Sequence, residues 1–322
     1  MLHQGAKVGI VCCSNGLRRE DSGKIGRLEE VLWQMGLQPV FSDHIYAVKD
    51  VFSGTARERA SALMEFYRED EIEAVFDISG GEIANGILPY LDYDLMAASH
   101  KMFWGYSDLT TVLNAVYAKT GKASVLYQIR NLIGKHGAWQ CKDFGNTVMK
   151  DQDDLFCIDC RMIPLRKESD LYNGFGDSLR SMGQDAQESG ERMQGIVVGG
   201  NIRCFLKLAG TEYMPDLQDK ILFLESFHGT AAQIETYLCQ LAQIGAFRKV
   251  AGILLGTFTQ MQEEGSEIPV EMLVREAAGE DMPIAVTKQI GHGSDSKGIC
   301  IGRNFIVEEG ILRSDDAVLM HR

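Results

Sequence analysis

The chain has 322 residues, of which 45% are hydrophobic, 24% charged and 8% aromatic, a composition typical of a soluble globular protein and not of a disordered or fibrous one. The 32 basic and 45 acidic residues give a net charge of −13, which disfavours nucleic acid and anionic membrane surfaces as partners. Because the chain is too long for one ordinary core, we expect two domains of roughly 150 residues each.

The start of the chain lacks the pattern of a secretion signal. The first apolar run, residues 6–13, is broken by Lys7 and Gly9, and nowhere do 18 apolar residues follow one another. We therefore expect a cytoplasmic protein. The eight cysteines show no disulfide framework, so we expect most of them to be reduced core residues.

Strand-like and helix-like segments alternate through the first half of the chain. Strands are predicted at residues 7–13, 38–41, 74–78 and 101–104, and helices at residues 25–35 and 56–69. This alternation predicts an α/β fold with a parallel sheet and helices on both faces. Ligands bind outside the carboxyl ends of such strands, so we expect Ser14-Asn15-Gly16, Ser79-Gly80-Gly81 and Gly105-Tyr106-Ser107 to meet at one edge.

The pattern fails over residues 166–191, which are polar and rich in turn-forming residues. We therefore predict an N-terminal domain at 1–165, a linker at 166–191 and a smaller C-terminal α/β domain at 192–322. Strands are predicted at residues 194–198, 220–224, 250–256 and 283–286, and helices at residues 230–245 and 270–279.

Ser107 follows a strand that stops at Gly105 and turns at once into a helix, which forces the serine outward at the sheet edge. In that position the N–H of Asp108 points to where an acyl oxygen would become negative. Gly80 or Gly81 would supply the second donor of an oxyanion hole, because glycine lets the backbone approach a ligand closely. Taken locally, the same residues also fit a helix cap, and Leu109 departs from the Gly-x-Ser-x-Gly motif.

A nucleophilic serine needs a base and an acid that orients it. His292 stands between two glycines in a turn after an apolar strand, which favours it as the base, although His44, His136 and His228 stay open. Glu225 ends an apolar strand, where a charged residue gains no packing, and is the candidate acid.

Six blocks in this order resemble the serine peptidases that comprise the LD-carboxypeptidases (muramoyltetrapeptide carboxypeptidases) and the microcin C immunity peptidases. The blocks are Ser79-Gly80-Gly81 with Asn85 and residues 88–94; residues 105–110; Gly199-Gly200-Asn201; residues 213–217 with 220–225; residues 250–253; and Gly291-His292 with Ile301-Gly302. The resemblance implies a flavodoxin-like N-terminal domain, Ser107 as nucleophile, Glu225 and His292 from the other domain, and Asp108, Gly80 and Gly81 as the oxyanion hole. It also implies a cytoplasmic homodimer with no metal and no cofactor.

The resemblance implies hydrolysis of an amide bond through an acyl-enzyme, on a small peptide such as a murein tetrapeptide ending in D-Ala. Ser79 departs from the LD-carboxypeptidase branch, which usually carries Arg there, and the Gly-Pro expected after the nucleophile helix is missing near residues 124–128. The alternatives are therefore an immunity-type peptidase that cleaves a peptidyl or aminoacyl nucleotide, and a non-catalytic small-molecule binding protein. A dinucleotide enzyme is disfavoured, because Ser14-Asn15-Gly16 lacks the Gly-x-Gly-x-x-Gly fingerprint.

Cys157 and Cys160 stand in a Cys-x-x-Cys spacing that can form half of a zinc site or a redox pair. No second such pair completes it in the sequence, so we predict a structural or incidental role.

Overall fold

The computed structural model describes residues 2–150, 152–164 and 192–314. Within these residues the strands are β1 (Lys7–Val11), β2 (Gln38–Phe41), β3 (Ile72–Asp77), β4 (Met102–Gly105), β5 (Ser124–Leu126), β6 (Ile158–Asp159), β7 (Arg161–Ile163), β8 (Met193–Asn201), β9 (Lys220–Ser226), β10 (Gly252–Phe258), β11 (Ile284–Val286), β12 (Ile299–Ile301), β13 (Asn304–Glu308) and β14 (Ile311–Ser314). They form two sheets, and the predicted α/β class is confirmed.

The α-helices of the described residues also follow the chain from one sheet to the other. They are α1 (Ser22–Gln34), α2 (Ala56–Arg68), α3 (Tyr93–Ala98), α4 (Thr110–Thr120), α5 (Gly137–Lys150), α6 (Ile202–Leu206), α7 (Ala231–Gln243), α8 (Thr259–Glu263) and α9 (Val270–Ala278). None of these helices is long and apolar enough to span a bilayer.

The first sheet has the strand order β12-β5-β4-β3-β1-β2. Its five strands from the first half of the chain are parallel, and β12 pairs antiparallel with β5 at the edge. The chain moves outward from β1 to β2 and then back to β3, so right-handed crossovers place α1 and α2 on opposite faces. The carboxyl ends of β1, β3 and β4 consequently lie side by side, as predicted.

The second sheet has the order β6-β14-β13-β8-β9-β10-β11-β7. Strands β8 to β11 are parallel at its centre, and shorter antiparallel strands extend both edges. The interiors of β9 and β10 are almost entirely buried, which explains their continuous apolar runs. The end of β9 therefore places Glu225 in the protein interior.

The two sheets exchange strands. β6 and β7 precede the predicted linker yet join the second sheet, whereas β12 comes late in the chain and completes the first sheet. The predicted division at residues 165 and 192 stays a prediction, because residues 165–191 lie outside the described residues. The crossing of the chain in both directions ties the two sheets together covalently.

An aromatic cluster packs against the middle of the first sheet. Trp104 on β4 is buried, and its ring centroid lies 5.3 Å from that of Phe76 on β3 and 5.7 Å from that of Phe144 on α5. Aromatic pairs at this spacing contribute about 1 kcal/mol each beyond their burial. β4 is thus held firmly just before the turn that carries Ser107.

Candidate active site

Ser107 lies at the sharp turn that the sequence predicts. β4 ends at Gly105 and Tyr106 is extended. Ser107, which has a φ of 56°, is the first residue of the 3-10 turn that leads into α4. This left-handed conformation is strained for a residue with a side chain and is concentrated at functional turns. A Cβ at Gly105 would lie 2.7 Å from that of Leu109, so only glycine permits the turn.

The alternative interpretation of Ser107 and Asp108 as helix caps is wrong. Tyr106 and Leu109 are the N-cap residues of the 3-10 turn and of α4, and neither end has a side-chain cap. The hydroxyl of Ser107 is directed to a histidine instead, and the carboxylate of Asp108 is directed to buried donors.

Three predicted residues from separate parts of the chain meet at this turn. Nε2 of His292 lies 3.2 Å from Oγ of Ser107, and Nδ1 of His292 lies 2.7 Å from Oε2 of Glu225. Glu225 is fully buried and His292 is nearly so, whereas Ser107 is partly exposed. A hydroxyl, an imidazole and a carboxylate in this sequence of contacts match the geometry of a serine nucleophile with its base and orienting acid.

Oε1 of Glu225 is buried and has no hydrogen-bond partner among the described residues. Among the described residues, the imidazole of His292 is therefore the hydrogen-bond partner of the Glu225 carboxylate. A buried carboxylate so placed fixes the tautomer that carries its proton on Nδ1, and it stabilises the imidazolium that would form when Nε2 accepts a proton.

The loop that carries His292 is fixed on several sides. The hydroxyl of Tyr106 donates to the carbonyl of Gly291, and the amide of Gly291 donates to Oγ of Ser296 at 2.9 Å. The imidazole lies between the rings of Tyr106 and Phe227, with centroids 4.6 and 4.9 Å away. Burial, with the charge of Glu225 adding to it, raises the pKa of Tyr106 well above its usual value, so the phenol stays a donor.

The turn at Gly80 and Gly81 is held by its carbonyls. The amide of Asn15 donates to the carbonyl of Gly80 at 3.2 Å, and the guanidinium of Arg203 donates to that of Gly81 at 3.4 Å. Gly81 has a φ of 132°, and a Cβ there would lie 2.1 Å from the Asn15 side chain. A glycine is therefore required at position 81. The turn follows β3 and lies at the predicted edge of the first sheet, beside the carboxyl ends of β1 and β4.

Asp108 connects the nucleophile turn to both sheets. Its fully buried carboxylate accepts from Oγ of Ser14 at 2.6 Å, from the amide of Ala84 at 2.8 Å and from the ammonium of Lys207. Burial would raise the pKa of Asp108, but the charge and hydrogen bond of Lys207, together with the other donors, hold it below its usual value. Lys207 also donates to the carbonyl of Glu82 at 2.8 Å.

A second contact fixes the halves of the site relative to each other. The buried side chain of Asn114 on α4 donates to the carbonyl of Gly199 and accepts from its amide, both at 2.8 Å. Oγ1 of Thr110 accepts from the amide of Asn201 at 3.1 Å. The end of β8 is therefore docked on the helix that follows Ser107.

The histidine candidates His44 and His228 and the two cysteines make no contact with Ser107 or Glu225. Nδ1 of His44 lies 3.2 Å from the carbonyl oxygen of Ser53. The ring of His228 packs against Phe227, whose ring contacts His292. Cys157 and Cys160 are free thiols, the first exposed and the second buried. Among the described residues, no group of three or more His, Cys, Asp and Glu side chains is arranged to hold a metal ion.

Two family profiles match most of the chain. The profile of the LD-carboxypeptidase N-terminal domain matches residues 8–127, and that of the LD-carboxypeptidase C-terminal domain matches residues 194–307. The chain belongs to the LD-carboxypeptidase family. It is a serine-type carboxypeptidase by family, and the predicted resemblance is confirmed.

Relatives of this LD-carboxypeptidase family member include both predicted branches. The microcin C7 self-immunity protein MccF of Escherichia coli is 29% identical over 252 residues, covering 72% of this chain and 70% of that protein. The probable murein peptide carboxypeptidase of Bacillus subtilis (strain 168) is 27% identical over 308 residues, covering 94% and 88%. The structure of MccF in complex with glutamyl sulfamoyl guanosine has a TM-score of 0.80 at 22% identity, covering 99% and 98%, and shares the fold.

Proposed function

We propose that Ser107 is the nucleophile, His292 the general base and Glu225 the acid that orients it, in the hydrolysis of an amide bond of a small peptide. The observation that carries this proposal is the chain of contacts from Ser107 through His292 to Glu225, at 3.2 and 2.7 Å. The strained φ of Ser107 supports it, because strain at a turn persists where it serves a function.

The proposed reaction has two halves. Nε2 of His292 takes the hydroxyl proton as Oγ of Ser107 bonds to the carbonyl carbon, and the same nitrogen then protonates the leaving amine as the C–N bond breaks. A water molecule, deprotonated by His292, next bonds to the acyl carbon. The imidazolium returns that proton to Oγ of Ser107 as the ester C–O bond breaks, which releases the acid and the free serine. The two halves of the reaction therefore need only the side chains of the enzyme and one water molecule.

The oxyanion of each tetrahedral intermediate is assigned to the amides of Asp108 and of the Gly80–Gly81 turn. Support comes from the carbonyls of Gly80 and Gly81, which accept hydrogen bonds from Asn15 and Arg203 and so fix the peptide planes of the turn. Donors fixed before the reaction need no reorganisation when charge develops, which is the basis of oxyanion stabilisation.

The substrate we propose is a murein tetrapeptide that loses its terminal D-Ala. The relative named as a murein peptide carboxypeptidase covers almost all of this chain, which supports that choice. We further propose that the protein works in the cytoplasm, as a homodimer, in peptidoglycan recycling. These three statements rest on the family resemblance, and light scattering and cell fractionation test the first two.

An immunity-type activity on an aminoacyl nucleotide is the second candidate. It is favoured by MccF, which is similar to this chain both in sequence and, with an aminoacyl sulfamoyl nucleotide bound, in fold. Assays of the purified protein on an LD-tetrapeptide and on an aminoacyl sulfamoyl adenylate separate the two substrates.

Ser107→Ala tests the proposal. The variant is expected to keep its fold, to lose nearly all turnover and to lose labelling by a fluorophosphonate. Ser294→Ala is the matched control, since Ser294 lies two residues beyond His292 and contacts Gln140 through its carbonyl. Equal turnover by Ser107→Ala and the parent would remove Ser107 from the mechanism, and an unlabelled, inactive parent would favour a binding protein.

A further inference from the structure

A partly buried arginine, Arg130, lies at the same sheet edge and takes no part in the proposed mechanism. Arg130 belongs to the 3-10 segment Ile129–Ile133, which follows β5 directly. It lines two adjoining cavities, of about 210 and 450 Å³, that share Arg130, Leu17 and Asp21. Together they have the size of a small-ligand site.

The guanidinium of Arg130 is poorly satisfied by its neighbours. Its Nε donates to Oε1 of Gln128 at 3.4 Å, and no other hydrogen bond or ion pair of this side chain is formed among the described residues. A guanidinium carries five N–H donors in a planar fork. Its two terminal nitrogens are therefore available to an incoming group.

Asp21, the acid in the cavity, attracts Arg130 but forms no ion pair with it. Asp21 pairs instead with Lys24, at 2.8 Å, and with Arg18, at 3.8 Å. Burial is the largest influence on the pKa of Arg130 and lowers it, so the folded protein holds this cation at a cost. A partly buried cation that lines a cavity and forms no ion pair within the described part of the chain is suited to bind a ligand of the opposite charge.

The cavities adjoin the proposed catalytic groups on two sides. Gly80, in the proposed oxyanion turn, lines the smaller cavity. Gly134 lines the larger one, and a Cβ at Gly134 would lie 3.5 Å from that of Ser294, in the loop of His292. Arg130 thus lines a cavity whose wall includes the proposed oxyanion turn.

We propose that Arg130 binds the terminal carboxylate of the amino acid that leaves. This inference rests on the proposed function of the Ser107 site and names the feature that makes the enzyme a carboxypeptidase. The leaving amino acid carries its carboxylate one carbon from the amine that His292 protonates. The planar fork of an arginine matches a carboxylate with two parallel hydrogen bonds, which also fixes the scissile bond in register with Ser107.

The test compares two substrates that differ at one group: a tetrapeptide with a free terminal carboxylate and the same peptide as its terminal amide. The parent is expected to prefer the carboxylate by about 100-fold in kcat/KM, the size of a charge-assisted bidentate contact. Arg130→Gln is expected to lose this preference through a raised KM for the acid, while cleavage of the amide stays within about threefold. Arg130→Lys should fall between them, because an ammonium is not a planar fork.

Arg27→Gln is the matched control, since Arg27 lines the same cavity but is exposed. It is expected to keep the preference for the acid, which separates a direct contact from a general charge effect. Thermal melts and the rate of fluorophosphonate labelling of Ser107 report whether Arg130→Gln keeps its fold and its nucleophile.

Three results would overturn the proposal: a parent that cleaves acid and amide equally, an Arg130→Gln variant that slows both substrates alike with normal labelling, or an Arg130→Lys variant that keeps the full preference. A parent that cleaves only the aminoacyl sulfamoyl adenylate would also overturn it, because that leaving group has no carboxylate. Failure of the proposed function is recognised separately, by Ser107→Ala retaining turnover.

Discussion

Lys207→Met removes the cation that pairs with Asp108 across the two sheets. In the parent, Asp108 is fully buried and the Lys207 side chain is 20% exposed. Removing one partner of a buried pair costs about 3–5 kcal/mol. Two hydrogen bonds to Asp108 remain, from Ser14 and Ala84, whereas the hydrogen bond from Lys207 to Glu82 is lost. We therefore expect the free energy of unfolding to fall by about 3 kcal/mol at pH 7.

The same pair predicts how the loss depends on pH. The folded-state pKa of Asp108 is lowered, so its contribution is complete above the unfolded value of about 3.9 and disappears as the pH falls through the folded value. Without Lys207, burial dominates and the carboxyl of Asp108 protonates at a higher pH. The difference in stability between parent and variant should therefore be greatest at pH 7. It should begin to shrink as the pH falls through the raised pKa of Asp108 in the variant, and continue to shrink down to the lowered pKa of Asp108 in the parent.

Urea denaturation of the parent, Lys207→Met, Asp108→Asn and the double variant measures the effect. The coupling energy is expected at about 2 kcal/mol, and kcat of Lys207→Met should fall about 10-fold because the Ser107 turn loses a constraint. Lys249→Met, which changes an exposed lysine, is the matched control. A loss below about 0.5 kcal/mol, or additive single variants, would refute the reasoning.

Two further changes test the groups around the imidazole. Glu225→Gln keeps the shape of the buried side chain but not the charge that orients His292. Steady-state kinetics should show kcat falling at least about 10³-fold with little change in KM. A loss of kcat below about 10-fold would contradict the role of Glu225. Tyr106→Phe removes the hydrogen bond to Gly291 but keeps the ring contact with His292 at 4.6 Å. The free energy of unfolding, measured in urea, should fall by about 1 kcal/mol. Unchanged stability would mean that the hydroxyl does not hold the loop.

Local patterns predicted much of the fold. The helix predicted at residues 270–279 and the strand at residues 38–41 agree with α9 and β2 within a residue. The apolar residues of α9 recur at helical spacing, and β2 follows directly on the helix stop at Gly36. The contacts of Ser107, His292 and Glu225 were also anticipated, since each residue ends or follows an apolar strand. Their roles stay a proposal.

Other features depend on distant pairing that periodicity does not reveal. Strands β6, β7 and β12 have two or three residues each, too few to show alternation, and their sheets are decided by partners more than 100 residues away. Lys207 is similar to any helix-end lysine in the sequence, and only its contact with Asp108 distinguishes it. Asn114 did carry a signal, because it is a polar residue inside the apolar run of α4.

The antiparallel pairing of β12 with β5 bears on how a substrate reaches Ser107. Ile299, Cys300 and Ile301 follow the His292 loop and pair with Leu126, Val125 and Ser124. A hinge motion that separated the two sheets would strain the pairing of β12 with β5 and break several backbone hydrogen bonds at once. Substrate and product should therefore enter and leave the site without separation of the two sheets, and any movement should be confined to surface loops. The turnover rate should then respond weakly to solvent viscosity.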